Sequence, residues 1–149
     1  MQPGDQPSRG RFVGREHRYP VRVYFEDTDL SGVVYHANYL RFMERARSDM
    51  LAAAGIDQRR AWEAGEGVYV VADLSIRYRR PARLDDELIV VSGLVAATAA
   101  SATIHQRVML DGEVLTEATV LAAFVALGGG RPKRQPRAWL TIFEGLLED

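Results

Sequence analysis

Residues 26–36 read Glu-Asp-Thr-Asp-Leu-Ser-Gly-Val-Val-Tyr-His and bring together the groups in this chain best suited to chemistry. Asp27 and Asp29 offer carboxylates, Gly32 a turn and His36 an imidazole, all between a strand-like alternation and a helix-like periodicity. Backbone N–H groups in the first turn of a helix lack intrahelical partners and carry the positive end of the helix dipole, so they bind an oxyanion or polarise a carbonyl. A carboxylate in the loop just before that turn lies within reach of the same carbonyl carbon. Together they supply a base or nucleophile and a stabiliser for the developing negative oxygen, as ester or thioester hydrolysis requires. The same residue types have a structural use, because Asp and Ser before a helix also cap it or shape its turn. A lone histidine at a helix start commonly serves as a hydrogen-bonded surface residue. The residues alone leave both uses open.

Composition narrows the field around that loop. The 149 residues fit one domain, and with 47% hydrophobic and 26% charged residues the chain needs no staple or metal to fold. A net charge of -1 from 19 basic and 20 acidic residues lacks the basic excess of a nucleic-acid binder. The absence of cysteine excludes a thiol nucleophile, a disulfide framework and cysteine-ligated metal. His17, His36 and His105 show no metal-ligand spacing, and there is no G-x-S-x-G, H-E-x-x-H, Walker A or G-x-G-x-x-G sequence. Neither a metal nor a redox cofactor is expected. Residues 1–18 mix Pro, Gly, Gln and charge and read as a loose leader without a signal-peptide core, and no window approaches a membrane span. The expectation is a soluble, cytoplasmic protein.

The elements that must position the loop follow from periodicity. Residues 19–26 alternate, with Val21, Val23 and Phe25 on one face, and predict a half-buried strand. After the loop, Tyr39, Met43, Ala46, Met50 and Ala53 recur at steps of three and four, predicting an amphipathic helix with Asn38 or Ser31 as cap and Gly55 as its stop. A shorter helix follows over residues 57–67, with Asp57 as N-cap and Trp62 as its apolar anchor. Residues 72–79, 88–100, 101–110 and 113–127 read as strands, with Asp111-Gly112 as a tight hairpin. Residues 129–149 form a polar connector and a short terminal helix, leaving residues 19–128 as the domain proper. One helix cannot cover both faces of such a sheet, so the sheet wraps around the helix and its other face and one edge need partners, predicting a dimer of dimers. An ordinary two-layer α+β sandwich has the same element order.

The run VRVYFEDTDLSGVVYHANYLRFMERARSDML resembles the hotdog-fold acyl-CoA thioesterases of the 4-hydroxybenzoyl-CoA thioesterase type, most closely those associated with the tol-pal system. The match runs in order and without a gap through ED-T-D, GVVYH, N-Y-L and E-R-A-R, and more loosely through residues 76–86. The resemblance implies an α+β hotdog fold, with an antiparallel sheet of about five strands around one long central helix. It implies hydrolysis of an acyl-CoA to a free acid and coenzyme A. Asp29 falls on the family's catalytic carboxylate, with Asp27 as its support, and His36 on the family's histidine. N–H groups around Tyr35 and His36 are then expected to face the thioester oxygen, with Gly32 permitting the turn and the Tyr24 hydroxyl close by. Among the basic clusters, Arg79 and Arg80 suit coenzyme A phosphates, and Arg131, Lys133, Arg134 and Arg137 suit phosphates, an acyl carrier protein or anionic headgroups. Glu44 matches the helix glutamate of another hotdog branch, but an ion pair with Arg41 or Arg47 accounts for it. Two rival functions share this frame: a non-catalytic acyl-thioester or carrier-protein binding module, and a hydroxyacyl-thioester dehydratase pairing His36 with Glu44.

Overall fold

Side chains that alternate between buried and half-exposed along the second half of the chain build one antiparallel sheet. In a computed structural model that describes residues 1–147, the strands are β1 (Arg11–Val13), β2 (Glu16–Arg22), β3 (Val68–Tyr78), β4 (Glu87–Ala97), β5 (Ser101–Leu110) and β6 (Glu113–Val125), and their order across the sheet is β1-β2-β4-β5-β6-β3. On β5, Ala102, Ile104, Gln106 and Val108 are buried while Thr103, His105 and Arg107 between them are half-exposed. The period of two thus sorts the core from the outer face. Asp111 and Gly112 join β5 to β6 with φ of 49° and 81°, the paired positive angles of a type I′ hairpin.

Helix α1 (Asn38–Ala53) lies across the concave face and buries Tyr39, Phe42, Met43, Ala46, Met50 and Leu51. Under its N-terminal half, Tyr39, Phe42, Met43 and Ala46 share one core cluster with Val23, Val34, Leu88, Val90 and Val108, so the loop that precedes the helix rests on a packed floor. Each fully buried Val, Leu, Phe or Met among them contributes about 1.5–3 kcal/mol on burial. A second cluster joins Met50 and Leu51 to Phe124, Trp139 and Phe143. Trp139 and Phe143 come from α3 (Arg137–Leu146), so the terminal helix belongs to the core instead of trailing from it. Residues 148 and 149, the end of the expected segment 129–149, lie outside the described residues. Gly55 ends α1 with φ of 95°, as its position predicts. Asp57 caps α2 (Gln58–Glu63) by accepting the Arg60 N–H at 3.0 Å, but Trp62 is 56% exposed and Ala61 is the buried anchor.

The first strand is shifted from its predicted place. The expected leader, residues 1–18, is shortened, because residues 11–22 form the β1–β2 hairpin at the sheet edge, giving six strands instead of about five. Residues 23–26 leave the sheet. They enter a 3-10 turn at Phe25–Asp27, where Phe25 is 79% exposed instead of facing the core. Besides its ladder with β4 and the packing of Phe12, Tyr19 and Val21 on the core, the hairpin has a polar tie: His17 is fully buried with its Nε2 2.8 Å from Asp49 Oδ2 on α1, and that oxygen also accepts the Gly10 N–H at 2.9 Å.

Burial holds the His17 imidazole below the ordinary histidine value of 6.5, against the upward pull of its bond to Asp49 and of that residue's charge. The native state therefore binds fewer protons than the unfolded chain just below pH 6.5, and stability is lost as pH falls from there through the depressed native value. His17→Gln removes this titration while retaining a polar group for Asp49. The urea midpoint of the parent protein should thus fall more steeply between pH 7 and 5 than that of the variant; parallel slopes would remove His17 as the source.

Candidate active site

Two sets of main-chain bonds shape the loop between the 3-10 turn and α1. Within it, Thr28 pairs with Val34, the Asp29 N–H donates to the Val33 carbonyl at 2.9 Å, and the Gly32 N–H donates to the Asp29 carbonyl at 3.2 Å. Gly32 turns the chain with φ of 83°, an angle that costs a residue bearing a Cβ. Outside it, the Val34 N–H donates to the Ala82 carbonyl at 2.8 Å and Val33 bridges to Arg83. The loop is thereby a small hairpin fastened to the segment that follows β3.

The two aspartates do different work. Asp27 is buried; its Oδ2 accepts the Tyr24 N–H at 2.8 Å and its Oδ1 accepts from Asn38 Nδ2 at 2.6 Å. It therefore ties the 3-10 turn to the first residue of α1. Asp29 is exposed, and its Oδ1 accepts both the Ser31 N–H at 2.8 Å and the Ser31 hydroxyl at 2.5 Å. These bonds to Ser31 hold the Asp29 carboxyl below the usual aspartate range, so it is an anion at neutral pH. Its Oδ2 makes no hydrogen bond of ordinary geometry among the described residues, although the main-chain N–H groups of Val33 and of Asp29 itself also help to lower the carboxyl. Asp29 thus presents one anchored oxygen and one open oxygen.

The helix begins at Asn38, one residue before Tyr39, the first apolar position of its period. Ala37 occupies the N-cap position, and neither predicted cap serves there: Asn38 reaches back to Asp27, and Ser31 binds Asp29. The Tyr35 N–H, expected to face the substrate oxygen, instead donates to the Asp27 carbonyl at 2.9 Å, because the loop needs that bond to close. The N–H groups of His36 and Ala37 have no partner among the described residues. They are the donors available to an incoming carbonyl.

The exposed His36 imidazole packs against the Tyr35 ring at 4.5 Å and edge-on to the Tyr78 ring at 6.2 Å. It lines a groove of about 260 Å³ with Val34, Tyr39, Tyr78, Arg79 and Pro81. Arg80 lines it too, but both arginines are already paired, Arg79 with Glu117 at 3.1 Å and Arg80 with Glu113 at 2.6 Å. Tyr24 is 59% exposed and enters the loop through its N–H; its hydroxyl has no hydrogen bond among the described residues. Glu44 lies apart, in a groove of about 310 Å³ beside Arg47 and Tyr69. Glu44 makes no ion pair at contact distance with Arg41 or Arg47 among the described residues; the Arg47 guanidinium donates to Gln106 Oε1 at 2.8 Å and feels the Glu44 charge from farther off. Tyr78 was not among the candidates from the sequence, where it reads only as the last apolar position of an alternating strand.

An antiparallel sheet curled around one helix, with a free carboxylate and unpartnered N–H groups where that helix begins, defines the hotdog class of fold with a hydrolase-like site. The model of the thioesterase-like superfamily matches residues 23–143, and the chain belongs to that superfamily. It is 41% identical over 128 residues to the acyl-CoA thioesterase YbgC of Haemophilus influenzae, covering 86% of this chain and 94% of that one. It is 38% identical over 128 residues to the acyl-CoA thioester hydrolase YbgC of Escherichia coli O6:H1, covering 85% and 95%. Among solved structures, a probable thioesterase from Bartonella henselae is similar with a TM-score of 0.76 at 34% identity, covering 81% of this chain and 99% of that one.

Proposed function

We propose that this protein is an acyl-CoA thioesterase, hydrolysing an acyl-CoA to a free carboxylic acid and coenzyme A, with Asp29 as its reacting carboxylate. The observation that carries the reading is the pairing of the Asp29 anion, one oxygen open, with the unpartnered N–H groups of His36 and Ala37 at the other end of the same hairpin. The thioester carbonyl oxygen sits on those N–H groups, which stabilise it as it gains charge. The open oxygen of Asp29 takes a proton from water, the resulting hydroxide adds to the carbonyl carbon, and the C–S bond breaks as the thiolate regains a proton. The same carboxylate serves equally as a nucleophile that expels the thiolate and forms a mixed anhydride, which water then cleaves. The His36 imidazole positions the acyl thioester, and Tyr24, Gly32 and Tyr35 shape the loop around it. Arg79 and Arg80 meet the coenzyme A phosphates by exchanging their surface carboxylates for the ligand's anions.

The test is release of free coenzyme A from short-chain, long-chain and aromatic acyl-CoA substrates by the purified protein. Turnover well above the spontaneous rate on at least one class is expected. No hydrolysis on any class, or reversible hydration of an enoyl thioester instead, would overturn the reading in favour of the binding module or the dehydratase. The exposed strip of Arg131, Lys133, Arg134 and Arg137 suits an acidic acyl carrier protein as a second thioester donor.

The assembly we propose is a dimer of dimers working in the cytoplasm, with the tol-pal association that the resemblance implies. Among the described residues no helix is long and apolar enough to cross a membrane. Strand β3 is an eleven-residue edge, and its concave-face residues Val71, Leu74 and Tyr78 remain 51%, 36% and 44% exposed because α1 packs over β2, β4 and β5 instead. A long apolar edge of this kind pairs with a second copy. Sedimentation at micromolar concentration should show a dimer and a tetramer, and a lone monomer would refute the assembly.

A further inference from the structure

One side chain from outside the loop holds the peptide that links His36 to Ala37. Tyr78, at the end of β3, donates its hydroxyl hydrogen to the His36 carbonyl at 2.9 Å, across 42 positions of sequence. The Tyr78 ring is set edge-on against the rings of His36 and Tyr39, at 6.2 Å and 5.7 Å. Tyr39 is itself fixed, buried in the core with its hydroxyl accepting the Ala82 N–H at 2.9 Å. Partial burial shifts the Tyr78 hydroxyl above the ordinary tyrosine value, so it stays protonated and able to donate.

The geometry of the peptide unit makes this contact consequential. A trans peptide is planar, with its carbonyl and the following N–H pointing in opposite directions, and the chain contains no cis peptide among the described residues. A bond that fixes the His36 carbonyl therefore also fixes the Ala37 N–H, aiming it away from Tyr78. Donation to the carbonyl further polarises the peptide and strengthens the opposite N–H as a donor. That N–H has no partner among the described residues, while the neighbouring Tyr35 N–H is already spent on Asp27.

We infer that Tyr78 is a positioning residue for thioester hydrolysis, aiming and polarising the Ala37 N–H toward the oxyanion of the tetrahedral intermediate. This rests on the thioesterase reading above. Tyr78→Phe deletes one oxygen and keeps the ring. Loosening an oxyanion donor without removing it should lower kcat on the order of tenfold, against a hundredfold or more for outright loss of such a donor. KM and the thermal midpoint should stay in place, since the interaction strengthens only as charge develops and the residue is near the surface. The fall should recur in a His36→Ala background, because the carbonyl that receives the bond is main chain and survives that change.

Three outcomes would overturn the inference: an unchanged kcat in Tyr78→Phe, a fall accompanied by a matching loss of thermal stability, or a fall that vanishes in the His36→Ala background and so belongs to the imidazole. Asp29→Asn in the same assay separates the two levels. If that variant is crippled while Tyr78→Phe is normal, only the role of Tyr78 fails; if both turn over normally, the reading of the site itself fails.

Discussion

Asp29→Asn should lower turnover of acyl-CoA by on the order of 100-fold or more while leaving the fold intact. Asparagine has nearly the same shape, and its side-chain oxygen can still accept from the Ser31 N–H and hydroxyl that now hold Oδ1. What it lacks is the negative charge and the basic open oxygen, so neither proton abstraction from water nor attack on the thioester survives. Exposure of the residue predicts little change in thermal midpoint, because no buried contact is lost. Glu44→Gln provides the comparison. Glu44 lies in a separate groove beyond the loop, and its variant should retain most of the parent's activity. Steady-state assays of the two variants side by side check both statements, and a normal Asp29→Asn with a crippled Glu44→Gln would move the chemistry to the helix.

His36→Ala should cost roughly 10- to 100-fold in turnover, less than Asp29→Asn, because the main-chain N–H at position 36 survives the substitution. The imidazole is exposed, its contacts are ring packing against Tyr35 and Tyr78, and no side-chain hydrogen bond holds it among the described residues. Removing it should barely move the thermal midpoint. A variant that unfolds more easily yet turns over normally when folded would make His36 a structural residue and leave Asp29 with the helix start.

Much of this was legible in the chain itself because the governing rules are local. The Asp111-Gly112 hairpin, the stop at Gly55 and the cap at Asp57 each depend on the backbone preference of one or two residues, and each stands where expected. The place of Asp29 was legible because its loop must precede the helix wherever that helix begins, whereas its role comes only from the resemblance. The β1–β2 hairpin was not, since a three-residue edge strand carries too little alternation to register, and the burial of His17 is decided by Asp49 on another element. The cost to Tyr35 has the same origin: its N–H is spent on a carbonyl whose approach depends on how the loop closes. Tyr78 was hidden for a related reason, since its partner is a main-chain atom that no residue type announces.

Arg79 and Arg80 show the opposite limit. Both line the groove beside His36, but Glu117 and Glu113 already occupy them, and cross-strand pairing of that kind follows from register, which residue counting does not supply.

The central claim is that the Asp29 carboxylate performs the chemical step, and single-turnover hydrolysis with enzyme in excess over an acyl-CoA that the parent protein cleaves tests it most directly, because product release no longer masks chemistry. The account predicts that Asp29→Asn binds the acyl-CoA with a Kd close to that of the parent while the rate of thioester cleavage falls on the order of 100-fold or more. A single-turnover rate equal to the parent's would contradict it.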